Sequence, residues 1–422
     1  MQLIAKIKNW GINTFISVFD QGILSSTNFF LNIYLSRKLD AENYGLFAVV
    51  FTIYLLIFII NQSIILEPLA IIGSKNKNGK NAYLKILILL QLVLSLIISI
   101  SLYIVSYFFF SKKVELQSTI YSLAFIIPFL SLFHLLRRFC YLQLRPAIAF
   151  FSSVLYVTSM IISFFIIEYI FKLNAYFVFL LQGISSIVPI VYLFIHFKLF
   201  SKIGMDVFAE FRKTLVYHIK LGKWLLASST ISWLSTSLFY PLIASFKSIQ
   251  FSAVLKSMDN VLLPMQQIIT AISLFLIPKI SIQSIGNDIF LSKMTKKITL
   301  LMLFFVIAYI VFLTLFHKYI FFFLYGHQNP YNSYSWILPI AALPLLGRAI
   351  TDIGIGIFFR VKERFDFFLK TTVIYALASI SLGIYLTINY GVFGTELAFA
   401  IATLFQIIFT FYTYNRFKNN IQ

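Results

Sequence analysis

The sequence predicts an all-α integral membrane protein with twelve transmembrane helices in two six-helix halves. Three observations carry that prediction. Of the 422 residues, 60% are apolar and only 11% charged, whereas soluble domains run near ~45–50% and ~25%; the mean hydropathy is +0.90. Apolar runs of the roughly 20 residues needed to cross a bilayer recur along the whole chain. The basic residues gather on alternate connections between those runs. A chain so poor in polar surface excludes soluble enzymes, fibrous repeats and disordered tails.

Taken in order, the runs lie at about 12–35, 45–72, 82–110, 117–136, 147–170 and 175–197, then at 222–246, 250–277, 298–324, 333–358, 367–389 and 393–415. Residues 1–11 carry no small-x-small cleavage pattern, so the first run reads as a retained helix. Pro128 in the fourth run, Pro264 in the eighth, and Pro339 with Pro344 in the tenth mark expected bends. Membrane helices tolerate such prolines because neighbours satisfy the freed backbone groups. No connection is long enough for an independent domain. The expected organisation is an N-terminal half over 1–199, a basic cytoplasmic connector with an interfacial helix over 200–221, and a C-terminal half over 222–422.

The charge pattern orients the runs. With the amino terminus inside, 25 of the 34 Lys and Arg fall on inner segments, among them Lys6, Lys8, Lys75, Lys77, Lys80, Lys202 and Lys279. Eight fall outside and Arg348 sits mid-span. The positive-inside rule then predicts cytoplasmic termini, and the even number of runs agrees. The formal charge of +20 is thus a topology signal rather than a nucleic-acid footprint, and no nucleic-acid partner is expected.

Ionisable and amide side chains inside the runs are the informative positions, because they are costly in lipid and usually face a cavity or a partner. On the first run, Asn13, Ser17, Asp20, Gln21, Ser25, Asn28 and Asn32 fall within an arc of about 140° at 100° per residue. That stripe reads as a water-facing wall, with helix–helix hydrogen bonding as the plainer alternative. Asp20, near mid-depth, is the coupling candidate, because desolvation raises the pKa of a carboxyl held in the membrane; Glu67, before Pro68 in the second run, is a second.

The eighth run repeats the pattern with Ser252, Lys256, Asp259, Asn260, Gln266, Gln267 and Thr270. Lys256 and Asp259, at i and i+3, either neutralise one another or line a cavity. In the tenth run Arg348 and Asp352, at i and i+4, are either a structural pair or a site in which the guanidinium fork meets phosphate oxygens. Glu168 and Glu396, near run ends, read as interfacial. His134, Arg137 and Arg138 follow the charge rule.

The five histidines show no metal-ligand spacing, and the single Cys140 excludes a disulfide framework. No Walker lysine or nucleophile elbow is present. No metal, cofactor or catalytic residue is therefore expected.

Four segments resemble a known family. The run FDQGILSSTNFFLNIYLSRKL (19–39) is similar to the first helix of oligosaccharide-lipid flippases, and DAENYGLFA (40–48) to their acidic loop ending in Tyr-Gly before helix two. ILEPL (65–69) fits the end of that helix, and NYGVFGTELA (389–398) resembles the Gly-x-x-Gly start of the last one. With twelve spans, the pattern is similar to Wzx-type flippases of the multidrug/oligosaccharidyl-lipid/polysaccharide (MOP) exporter superfamily.

The resemblance implies a MATE-like V-shaped, alternating-access transporter in the bacterial cytoplasmic (inner) membrane. It would carry undecaprenyl-diphosphate-linked oligosaccharide units to the periplasmic leaflet for surface polysaccharide (O-antigen-like) biosynthesis. Its partners would be the lipid-linked oligosaccharide, membrane lipids, and polysaccharide polymerase with chain-length machinery. Asn28, Asn32, Gln266 and Gln267 would line the sugar path, with Arg348, Lys256 and either Arg37 or Lys223 as cations for the diphosphate, offset by Asp20, Asp259 and Asp352. A cation-coupled multidrug exporter of the same fold and an integral-membrane polysaccharide polymerase are the alternatives. The polymerase would need a larger basic periplasmic loop than the 317–333 segment supplies.

Overall fold

The backbone of a chain in lipid must satisfy its own hydrogen bonds, so long apolar runs become helices. The computed structural model describes residues 2–75, 80–199, 206–284, 288–326, 329–364 and 366–419, and among them there are helices and turns with no strand. Lys6, Lys8, Asn13, Lys75, Lys77, Lys80, Lys202 and Lys279 of the expected charge and polarity pattern lie outside the described side chains.

The helices are α1 (Gln2–Lys38), α2 (Ala41–Asn61), α3 (Glu67–Lys75), α4 (Lys80–Phe110), α5 (Val114–Leu142), α6 (Pro146–Ile170) and α7 (Ala175–His196). They continue with α8 (Asp206–Thr236), α9 (Phe239–Phe246), α10 (Ile249–Gln283), α11 (Asp288–Tyr325), α12 (Leu338–Ala341), α13 (Pro344–Gly347), α14 (Ile355–Val361) and α15 (Asp366–Asn419). Gly391, at φ +63°, breaks α15 in two, a conformation that glycine reaches without a Cβ penalty.

Among the described residues, eight helical segments are long and apolar enough to cross a membrane: 41–73, 83–110, 114–142, 146–170, 175–196, 288–325, 330–361 and 366–418. The last of these contains the Gly391 break. α1 and α8 are less apolar because each carries a row of polar side chains, and α10 joins a polar first half to an apolar second half.

The proline-containing runs fold in two ways. α5 and α10 run unbroken through Pro128 and Pro264. Pro339 and Pro344 instead occupy the first turns of α12 and α13, where the missing N–H costs nothing, and this stretch is cut into short pieces. Two π-helical turns, Gln62–Leu66 and Arg348–Gly354, interrupt the helical ladder further. Leu144, Lys198 and Glu363, all at positive φ, follow the ends of α5, α7 and α14. Each is followed by an amide bonded back to a carbonyl in the last turn, Arg145 to Cys140, Leu199 to Phe194 and Arg364 to Phe359, the 6→1 closure of a Schellman end.

The chain gathers into two compact units, Met1–Leu39 with Val50–Ser229, and Asp40–Val49 with Thr230–Gln422. In the first, α3, α4, α5 and α7 enclose a core of Leu69, Leu87, Phe133, Leu136, Phe139 and Leu193. α5 and α7 touch where Gly183 faces Ile126, leaving no room for a side chain; such small-residue contacts bring helices close enough to pack in lipid. The second unit takes the first turns of α2 for an analogous reason. A Cβ on Gly45 would overlap the Ile249 carbonyl oxygen, and the neighbouring Tyr44, fully buried, receives a hydrogen bond from Asn260 at 2.7 Å and packs on Tyr331. The Tyr-Gly pair of the 40–48 segment thus fixes α2 to α10.

Candidate functional site

In the first unit the polar face of α1 is organised by one acid. Asp20 is fully buried, and Arg137 Nη2 donates to its Oδ2 at 2.6 Å. Tyr141 donates to the same oxygen. Arg137 also donates through Nε to Ser153 Oγ at 3.0 Å, and its guanidinium lies over the Tyr141 ring. Two turns of α5 and one of α6 therefore converge on a single carboxylate. The other oxygen, Oδ1, is buried with no hydrogen-bond partner among the described residues. Arg137, expected among the loop charges, instead reaches inward, because a buried carboxylate needs a counter-charge more than the guanidinium needs the surface.

Glu67 takes the next arginine. It opens α3 directly after the π turn, accepts from Gln62 Nε2 at 2.5 Å, and pairs with Arg138 at 3.4 Å. Successive arginines on α5 thus hold the two coupling candidates apart, one each. Of the remaining stripe, Gln21 and Asn28 are exposed, while Asn32 is buried and donates to the Asn28 carbonyl at 2.7 Å. Glu168 accepts from Tyr34 and Lys38 at the far end of α1.

The same unit holds a polar contact that sequence reasoning missed. His218 of α8 is fully buried; its Nδ1 donates to the Ile64 carbonyl at 2.8 Å, and its Nε2 accepts from Tyr83 at 2.7 Å. The π turn at Gln62–Leu66 presents that carbonyl, and Gly222, one turn on, lies against the Ser63 carbonyl where a Cβ would overlap. Burial lowers the imidazole pKa below its ordinary value, with the Ile64 hydrogen bond opposing the shift.

In the second unit, the first half of the α10 stripe is buried. Ser252 donates to the Tyr240 carbonyl at 2.8 Å, and Tyr240 donates its hydroxyl to Asp259. Lys256 is buried within electrostatic reach of Asp259. Glu396, expected at an interface, is instead 3% exposed and lies within electrostatic reach of Asp259 as well. Its place five residues after the Gly391 break hid it, since an acid near a helix N-terminus suits the helix end as well as a site. Gln266 is half-buried and Gln267 exposed, beyond this cluster. Arg348 and Asp352 share the second π turn with Nε and Oδ2 3.7 Å apart and both side chains about two-fifths exposed, at 41% and 43%.

Both units thus bury ionisable groups in helices that otherwise suit lipid, where such groups are costly and require a partner or a cavity. The solved structures agree on the class of fold. The chain resembles the lipid II flippase MurJ in an inward closed conformation, with a TM-score of 0.73 at 16% identity over 96% of this chain and 87% of that one. It resembles an inward-facing multidrug resistance MATE transporter of the MOP superfamily, with a TM-score of 0.73 at 15% identity over 93% and 95%. A third likeness is to a MOP superfamily transporter from Pyrococcus furiosus, with a TM-score of 0.55 at 15% identity over 98% and 93%. No protein-family model matches the chain, and no curated protein matches it. At these identities the likeness establishes the fold, that of the MOP-superfamily transporters and flippases.

Proposed function

We propose that this chain is a flippase of the Wzx type. It moves undecaprenyl-diphosphate-linked oligosaccharide units from the cytoplasmic to the periplasmic leaflet by alternating access. It does so in the bacterial inner membrane, with twelve spans in two halves and both termini cytoplasmic. The observation that carries this reading is α1: exposed Gln21 and Asn28 share a face with a buried Asp20 that Arg137 neutralises. Such a face offers hydrogen bonds to sugars without a net charge to repel a diphosphate. The half-exposed Arg348 supplies a fork for phosphate oxygens. The fold shared with a lipid II flippase supports the same direction. Polysaccharide polymerase and chain-length machinery would act on the delivered units.

A cation-coupled multidrug exporter is the second reading, favoured by the MATE likeness and by the buried Glu396 beside Asp259. Leaflet-resolved measurement of undecaprenyl-diphosphate glycan in cells with and without the gene separates the two. Build-up in the cytoplasmic leaflet on deletion supports the flippase. Single unpolymerised units outside would restore the polymerase. No glycan change would redirect the test to drug efflux.

A further inference from the structure

We infer that the groove between α1 and α6 holds the polyprenyl tail of a phosphate-headed carrier lipid, an assignment that rests on the flippase reading. The groove measures about 710 Å³ and is lined by Val18, Gly22 and Phe30 of α1 and by Val157, Ile161 and Phe165 of α6. From Val18 to Tyr34 it follows α1 for roughly 24 Å at 1.5 Å per residue, most of a ~30 Å hydrocarbon core.

Of its three hydroxyls, Ser26 is exposed and the other two are turned away from a ligand. Thr27 donates to the Ile23 carbonyl at 2.7 Å, and Tyr34 donates to Glu168. Apart from Ser26, what faces the groove is hydrocarbon and aromatic surface, with Phe30 and Phe165 both largely exposed.

Two features select an amphiphile with an anionic head. The Tyr34–Glu168 and Lys38–Glu168 contacts bring the C-terminal ends of α1 and α6 together. Arg37, Lys38 and Lys172 there outnumber Glu168 and Asp40, three cations to two acids, so the end of the groove is net cationic. At 100° per residue, moreover, the groove lies on the side of α1 opposite Gln21, Asn28 and Asn32. One helix thus presents a polar wall and a tail groove back to back, which a phospholipid does not use and a lipid-linked glycan does.

Gly22 gives a clean test. A Cβ there meets nothing within 4 Å, so a side chain can start into the groove from α1; Gly22→Phe fills it from that side and Ile161→Trp from α6. Leu96→Phe, on exposed apolar surface of α4 outside the groove, is the control. The full chain in phosphatidylcholine nanodiscs is titrated with undecaprenyl phosphate or with phosphatidylglycerol, and retained lipid is read by native mass spectrometry.

The expected result is undecaprenyl phosphate retained in preference to phosphatidylglycerol, weakened at least tenfold by Gly22→Phe and by Ile161→Trp and unchanged by Leu96→Phe. Equal retention of both lipids, or loss of neither in the filled variants, overturns the assignment to the polyprenyl tail. Selective retention in a protein whose deletion leaves glycan unchanged keeps the tail site and removes the flippase reading.

Discussion

Arg137 Nη2 lies 2.6 Å from Asp20 Oδ2 across 117 residues of sequence, inside the first unit, where the carboxylate is fully buried. Removing one partner strands the other charge, which costs about 3–5 kcal/mol for a buried pair. Asp20→Asn and Arg137→Gln should each lower the unfolding midpoint of the detergent-purified protein by that order. The double variant should lose less than the two singles combined. Strict additivity would mean the two residues act independently. In cells, Asp20→Asn should also abolish any dependence of transport on the proton gradient; intact dependence removes Asp20 as the coupling group.

Gly45 permits the backbone of α2 to meet Ile249. Gly45→Ala should destabilise the second unit by about 1–3 kcal/mol, the usual cost of overpacking, while Gly22→Ala, where a Cβ meets open space, should not. Thermal unfolding of both variants checks the contrast, and equal midpoints would contradict the close contact.

His218 should make stability pH-dependent with a defined sign. Its folded pKa lies below the ordinary value near 6.5, so the unfolded chain takes up the proton first. The neutral ring's contribution is complete above about pH 6.5 and is lost as pH falls through the folded pKa. The midpoint should drop between about pH 7.5 and about 5.5 in the wild type and drop less in His218→Asn, which keeps a donor for Ile64 but cannot titrate. Identical slopes would show that His218 is not the titrating group.

Glu396 and Asp259 should respond in opposite directions. Glu396→Gln relieves two neighbouring buried carboxylates and should raise the midpoint. Asp259→Leu leaves the Tyr240 hydroxyl without its acceptor, a loss of about 1–3 kcal/mol, and deprives Lys256 of its counter-charge. Losses in both variants would indicate that Glu396 has a stabilising partner in the folded protein.

Arg348 and Asp352 are half-exposed and 3.7 Å apart, so Arg348→Lys should leave stability within about 0.5 kcal/mol. If the fork binds the diphosphate, transport of the lipid-linked glycan should fall several-fold in the same variant, measured as cytoplasmic-leaflet accumulation. Wild-type transport would leave Arg348 a structural partner of Asp352.

The sequence by itself determined where helices form, because a backbone in lipid closes its hydrogen bonds within four residues and apolar runs report that directly. It also marked α1 and α10 as polar, since a stripe at 100° per residue is a local property. The meaning of individual charges was not local. Arg137 read as a loop cation and is the counter-ion of Asp20, and Glu396 read as interfacial and lies buried near Asp259. Tyr44 and Gly45 read as a loop motif and join the second unit through Asn260 and Ile249. His218, on a polar helix, gave no signal at all, because its partners Ile64 and Tyr83 lie more than 130 residues away. Those pairings were decided by the tertiary structure alone: burial makes an unpartnered polar group expensive, and which partner is near enough to meet that demand depends on how the helices pack.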